Sequence, residues 1–383
     1  MAAVDWSKLP MELLNLISQR IDDEIDLIRF RSTCSTWRSS SVLKLLQILP
    51  SKFPLFKLPF LSDPNDMDTI NGNNPPFGRL SKQTLYLIKP PLQEEEEQTL
   101  LRPRLIRVSR NKRSQTRFFH PLLNYDPISC KRFVLDFNKL SVLHLGSIIS
   151  ICGCGIKPKN EDDDYFYIFP EKVVAATCHG KNPLIVAALD ARPFPLLSKC
   201  GNENWKVIPD MSMMYGDICL FKGHPYAVDK IGKTVIVGPG SSVHLVAEPL
   251  VGGVHFVAEP SVGGGKNKFL VESDGDLLLA DVYMHDVRVD LFKLNEKEKK
   301  WVKLMSLGDR VLFLGMKCSF SISASDLSVA KGNLVIISDD ILRGCCRRRN
   351  RPSYVLDLDQ GQLPPLSDSP EYSNLFWPPP KKI

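Results

Sequence analysis

From about residue 81 onward the apolar residues come in short runs separated by turn residues, and this rhythm limits the fold more than any other feature of the chain. Runs at 85–88, 132–137, 141–145, 165–169, 173–177 and 184–189 lead to others at 217–221, 225–228, 233–237, 254–257, 268–272 and 276–283. The last are 287–294, 300–304, 311–314, 333–338 and 353–358. Short strands spaced about 8–12 residues apart predict an all-β sandwich or propeller. No amphipathic helix of about 12 residues appears beyond residue 80, which argues against alternating βαβ units.

A repeat separates the two β options. Around Trp205 the chain reads GNENWKVIPDM and then GDICLFKGHPYAVDKIGKTVIV. Around Trp301 it reads KEKKWVKLM, then GDRVLFLG, and later AKGNLVIISDD. Each copy has a Trp at a strand start, a Gly-Asp turn, an apolar run and a Lys-Gly turn. The two Trp are 96 residues apart (301 minus 205), close to two propeller blades of about 50 residues each. A propeller is therefore expected, and the length from 81 to 383 corresponds to about six or seven blades. The repeated Trp is read as packing between blades. The near-duplicate VAEPLVGG (246–253) and VAEPSVGG (257–264) has an offset too short for a blade and is read as a hairpin or irregular loop.

The N-terminal 4–38 follows another period. Leu9-Pro10 precedes Leu13, Leu14 and Ile17. Pro10 suits a first helical position, and Glu12 suits the positive end of that helix. Leu13 and Ile17, four apart, share a face. Asp23 is a candidate N-cap for a second helix carrying Leu27, Phe30 and Cys34 at i, i+3 and i+7, with Ile28 beside them. Trp37-Arg38 falls at or inside a third short helix. So small a helical unit cannot bury its own apolar faces. They dock either on the rest of the chain or on a partner. Between the two regions, 49–80 holds Pro54, Pro59 and Pro64 with Phe53, Phe56 and Phe60, and is read as an extended segment packed on the following domain, then a loop at 62–77. The expected domains are 1–48 helical, 49–80 connecting and 81–383 propeller-like.

Composition adds exclusions. No signal peptide is expected at the N-terminus. The run 142–156 is read as two buried strands rather than a membrane span. Ten scattered cysteines read as reduced thiols, which fits the nucleus or cytosol. Cys152-Gly-Cys154 with Cys178-His179 lacks zinc-site spacing, so no metal or other cofactor is expected. The Gly-rich 263–266 lacks the first Gly and the Ser/Thr of a phosphate loop, no nucleophile elbow is present, and the seven His are single. The protein is not expected to be an enzyme. The basic 102–117, with seven Lys/Arg and the adjacent Phe118-Phe119, and RGCCRRRNR at 343–351 are read as surface loops, or as nuclear import signals. Nucleic acid is not the expected partner.

Two stretches carry a family resemblance. Leu9-Pro10, Glu12-Leu13-Leu14, an acidic break and then LIRFRSTCSTWR resemble the F-box, with Thr33 where that family more often has an apolar residue. Asp5-Trp6 just before Leu-Pro resembles a large plant subfamily of F-box proteins. GDRVLFLGMKCSFSISASDL, KGNLVIISDD and YVLDLDQGQLPPL are similar to the kelch-like propeller domain found in many plant F-box proteins. The resemblance implies a substrate-recognition subunit of a Skp–cullin–F-box ubiquitin ligase, non-catalytic itself, in the nucleus and/or cytoplasm. Its F-box would bind a Skp-type adaptor, and through it a cullin-RING ligase, while the propeller binds a target protein. Leu9, Pro10, Leu13, Leu14, Ile17, Leu27 and Trp37 would form the adaptor interface or support it. The alternative is a propeller that binds a small ligand or nucleic acid, with a regulatory or degenerate F-box.

Overall fold

Apolar runs bounded by turns become strands, and strands buried on both faces need neighbours on both sides. The computed structural model describes residues 6–21, 23–41, 53–54, 56–57, 77–89, 102–110, 116–122, 137–152, 167–168, 170–177, 183–189, 196–201, 206–209, 211, 215–250, 267–283, 287–343 and 353–376. Three helices come first: α1 (Met11–Ser18), α2 (Glu24–Ser32) and α3 (Ser35–Ser40). Strand β1 (Phe53–Pro54) then pairs with the start of β3 (Phe77–Lys89), and β2 (Phe56–Lys57) pairs with β7 (Tyr167–Ile168). Residues 53–54 and 56–57 are thus extended and paired with the β region, while 58–76, which hold most of the expected loop, lie outside the described residues.

Among the described residues the remaining strands form five four-stranded units. The first contains β3 (Phe77–Lys89), β4 (Arg104–Arg110), β5 (Thr116–Phe119) and β6 (Ser141–Cys152), ordered β6-β3-β4-β5. The second is β8 (Pro170–Thr177), β9 (Pro183–Leu189), β10 (Leu196–Cys200) and β11 (Lys206–Val207). A single pairing, Ile149 with Val173, joins these two. The third is β12 (Tyr215–Phe221), β13 (His224–Asp229), β14 (Thr234–Val237) and β15 (Val243–Ala247). The fourth is β16 (Asn267–Ser273), β17 (Asp276–Tyr283), β18 (Arg288–Asn295) and β19 (Lys300–Leu304). The fifth holds β20 (Arg310–Leu314), β21 (Phe320–Ser323), β22 (Leu334–Ile337) and β23 (Tyr354–Asp357), ordered β21-β20-β22-β23. Its β20 and β22 run parallel because the chain crosses over through α4 (Ala324–Leu327). Two further short helices are α5 (Asp339–Arg343) and α6 (Pro370–Ser373).

One strand of each unit lies innermost. β6, β8, β12, β16 and β21 touch in that order and β21 returns to β6, closing a ring. The core sits between successive blades. Alternate residues of one strand face opposite neighbours, as the period of two demands. Leu270 packs toward the third blade with Phe221 and Trp301. Phe269 and Val271 pack toward the fifth with Leu312 and Leu314. Val311 and Phe313 face the first blade with Leu85 and Leu105. This is why runs such as RVLFL are apolar without alternation.

Local chemistry sets the hairpins. Lys222-Gly223 (φ 48° and 79°) and Asp274-Gly275 (φ 53° and 78°) are two-residue turns with both φ positive, the hand that matches strand twist. The Lys-Gly turn of the repeat is therefore real at Lys222-Gly223. Gly216-Asp217, read as a turn, instead lies inside β12 at a register shift. A Cβ on Gly216 would meet Lys268 Cβ at 3.0 Å and the Asp229 carbonyl oxygen at 3.1 Å, so a larger residue at the bulge would push its neighbours by a few tenths of an ångström. Trp301 behaves as expected. It lies near the start of β19, is buried, and donates from Nε1 to the Gly232 carbonyl (3.0 Å) and Thr234 Oγ1 (3.1 Å) of the third blade. Trp205 and 251–266 lie outside the described residues.

Other readings need correction. Six or seven units are expected from length; five four-stranded units lie among the described residues. Residues 141–152 form one strand, not two, with a register shift beside Gly146, and none of 141–149 is fully buried. The basic 102–117 is not a surface loop. Its 104–110 part is β4, where Arg107 is only 1% exposed, and Phe118 packs on Phe137.

The C-terminal segment completes the ring. Leu105 N donates to the Leu375 carbonyl at 2.7 Å and Arg104 Nη1 to that of Asn374 at 2.8 Å. Phe376, fully buried, bridges Leu105 and stacks with His120 at 5.0 Å. Residues 366–376 thus clasp the fifth blade to the first.

Candidate functional site

Helix α1 follows a 3-10 turn at Trp6–Lys8 and begins after Pro10 (φ −55°, ψ 142°), so Pro10 is the N-cap, one place before the expected first helical position. The Leu14 N–H donates to its carbonyl at 3.1 Å. Asp23 caps α2 as expected, its Oδ1 accepting from Ile25 N (2.8 Å) and Asp26 N (3.1 Å). Leu14, Leu27 and Phe30 form the helical core, with Leu9, Ile21 and Trp37 packed around it. The Trp37 ring lies 4.6 Å from that of Phe30 and donates from Nε1 to the Trp6 carbonyl at 3.3 Å.

This core divides the seven candidate residues. Leu14 (0% exposed) and Leu27 are structural, and Leu9 and Trp37 are half-buried supports. Pro10, Leu13 (47%) and Ile17 (41%) face outward. Met11 (55%), Leu16 (53%) and Trp6 also face outward and were not among the candidates. Their signal was the apolar richness of MELLNLIS around the whole helix, beyond what one core-facing stripe requires.

The second helix behaves differently. Its Leu27 and Phe30 face the helical core, while Ile25 (1% exposed) and Ile28 join Tyr86, Ile88, Ile106, Val108 and Phe137 of the first blade. Arg29 donates from Nε to the Phe137 carbonyl (3.0 Å) and from Nη2 to that of Leu140 (2.9 Å). Asp23 Oδ2 accepts from Tyr86 Oη at 3.0 Å. So α2 docks within the chain, and α1 keeps an exposed apolar face.

The ring presents a second set of charged groups. On its inner strands Lys172 Nζ donates to Asp217 Oδ1 at 2.6 Å, both nearly buried, and Asp217 also accepts from Ile218 N and from Leu270 N. Burial works to lower the Lys172 ammonium, but the Asp217 charge and hydrogen bond outweigh it and hold Lys172 above the ordinary lysine range. Burial, with the Asp217 charge second, drives the Cys219 thiol far up, so it stays protonated. Lys268 and Asp281 pair at 2.9 Å, fully buried. The Lys172–Asp217 pair, with Leu270 N, joins three blades, whereas Lys268 and Asp281 lie opposite each other within the fourth. Of the basic stretch, Arg107 lies over Phe119 at 5.7 Å and Arg104 is held by the C-terminal clasp. Among the described residues no group of His, Cys, Asp and Glu is arranged to hold a metal ion, and no helix is long and apolar enough to cross a membrane. The Cys154, Cys178-His179, 263–266 and 345–351 motifs lie outside the described residues.

A three-helix F-box joined to a ring of four-stranded blades defines an F-box protein with a propeller domain. The comparisons agree. A family profile described as the KIB1-4 beta-propeller matches residues 79–358, and the chain belongs to that family. It is 30% identical to F-box protein SKIP23 of Arabidopsis thaliana, covering 99% of this chain and 96% of that one. It is also 30% identical to F-box protein At2g17036 of the same plant, covering 99% and 95%. A putative F-box/kelch-repeat protein, At5g24040, is 26% identical over 98% of both chains. The chain is thus that of a plant F-box protein.

Proposed function

We propose that this protein is the substrate-recognition subunit of a Skp–cullin–F-box ubiquitin ligase, binding a Skp-type adaptor through α1 and a target protein through the propeller. The observation that carries the reading is the division of labour among the helices. Leu14, Leu27 and Phe30 are consumed by the core and α2 is consumed by the blade, yet Met11, Leu13, Leu16 and Ile17 remain exposed on one short helix. An apolar helical face of this kind is suited to a partner's groove. The protein itself then supplies proximity, holding a target near a charged conjugating enzyme, and transfer chemistry belongs to the other subunits. Action in the nucleus or cytoplasm is part of the same proposal.

The test is capture of a recombinant Skp-type adaptor by the full chain. Leu13→Asp with Ile17→Asp should abolish capture while the melting temperature stays close to that of the wild type. Val302→Asp, at an exposed apolar position on the fourth blade, should leave capture unchanged. Equal capture by all three proteins would contradict the assignment.

A further inference from the structure

The α2 helix is apolar on two sides, and the second side is an interface the adaptor reading does not use. Asp23 serves both sides at once: Oδ1 caps the helix, and Oδ2 accepts from Tyr86 Oη of β3. Two turns of side chains follow on that face. Ile25 inserts among Tyr86, Ile106 and Val108, and Arg29 donates to the carbonyls of Phe137 and Leu140. Ser32 Oγ and the Asn138 side-chain amide meet at 3.0 Å beyond them. A carboxylate, a buried aliphatic and a guanidinium with two fixed acceptors define position, rotation and tilt together. A flexible tether would need none of them.

We propose that Asp23, Ile25 and Arg29 are positioning residues that fix the helical domain on the first blade in one orientation. The proposal rests on the adaptor reading above and deepens it. A target held by the propeller is then presented at one place relative to the adaptor, and lysines elsewhere are out of reach. The docked face (25, 28, 29, 32) and the helical core face (27, 30) are separate, so the dock can be broken without opening the core.

The test uses the full chain carrying Ile25→Asp and Arg29→Ala, with the milder Arg29→Lys and Tyr86→Phe as separate variants. Small-angle scattering of the free chain should give one narrow distance distribution for the wild type and a broadened, longer one for the double variant, with the mild variants between. Adaptor affinity should stay within about twofold, because the changed side chains face the blade and are not part of the α1 face. In a complex reconstituted with adaptor, cullin, RING subunit and charged conjugating enzyme, mass spectrometry should map ubiquitin to a restricted set of this chain's lysines. The double variant should spread modification over more of them. Unchanged scattering with intact adaptor binding would overturn the positioning role alone. Failure of the wild type to bind adaptor would overturn the ligase reading, and the positioning role with it.

Discussion

At the scale of single residues, two buried groups test the ring. Asp217 gathers a donor from each of three blades: Lys172 of the second, Ile218 of its own and Leu270 of the fourth. Removing one partner of a buried pair strands the other, so Asp217→Ala should cost about 3–5 kcal/mol in chemical denaturation. Asp217→Asn keeps an acceptor and should cost less. Equal losses for the two would show that the charge contributes little. His120 is the second test. Burial, and then the Arg107 charge, lower its pKa from 6.5 to about 3. The unfolded chain takes up this proton near pH 6.5 and the folded chain does not. The stability is therefore complete above pH 6.5 and is lost as pH falls toward about 3, by at most about 1.4 kcal/mol per pH unit. His120→Phe keeps an aromatic ring against Phe376 and should flatten the stability profile between pH 6.5 and 5. A profile as steep as that of the wild type would assign the slope to other groups.

At the scale of elements, the C-terminal clasp and the helices carry different lessons. Phe376 is fully buried between His120 and Phe313 and bridges Leu105. Phe376→Ala should cost about 3–5 kcal/mol and speed proteolysis at the junction of the first and fifth blades. Proteolysis at wild-type rate would mean that closure does not depend on the clasp. Much at this scale was legible in the sequence. The Asp23 cap, the three helices and most strands follow from nearest neighbours and a fixed period. Strand β4 was not, because Arg104, Arg107 and Arg110 drew attention to charge, while Leu105, Ile106 and Val108 already gave a β-forming run. The second face of α2 was not legible for a related reason: Ile28 was placed beside Leu27 and Phe30, Ile25 was not singled out, and only the blade shows what they cover.

At the scale of the whole molecule, the features that matter are non-local. A periodic pattern says that strands exist and that both faces are buried, but ring closure depends on contacts such as Leu105 with Leu375, 270 positions apart (375 minus 105). The candidate site was legible as a segment, since the F-box residues are contiguous. Its division into core, exposed face and internal dock was not, because each assignment needs a neighbour elsewhere in the chain. The architecture places an unused apolar helix face outside a closed ring, with α2 between them. The central claim is that this face joins the propeller to a ubiquitin ligase. The most direct measurement is size-exclusion chromatography of the full chain with a Skp-type adaptor and a cullin. The account predicts that all three co-elute, that omitting the adaptor frees the cullin, and that Leu13→Asp with Ile17→Asp frees both. Separate elution of the wild-type chain from adaptor and cullin would contradict it.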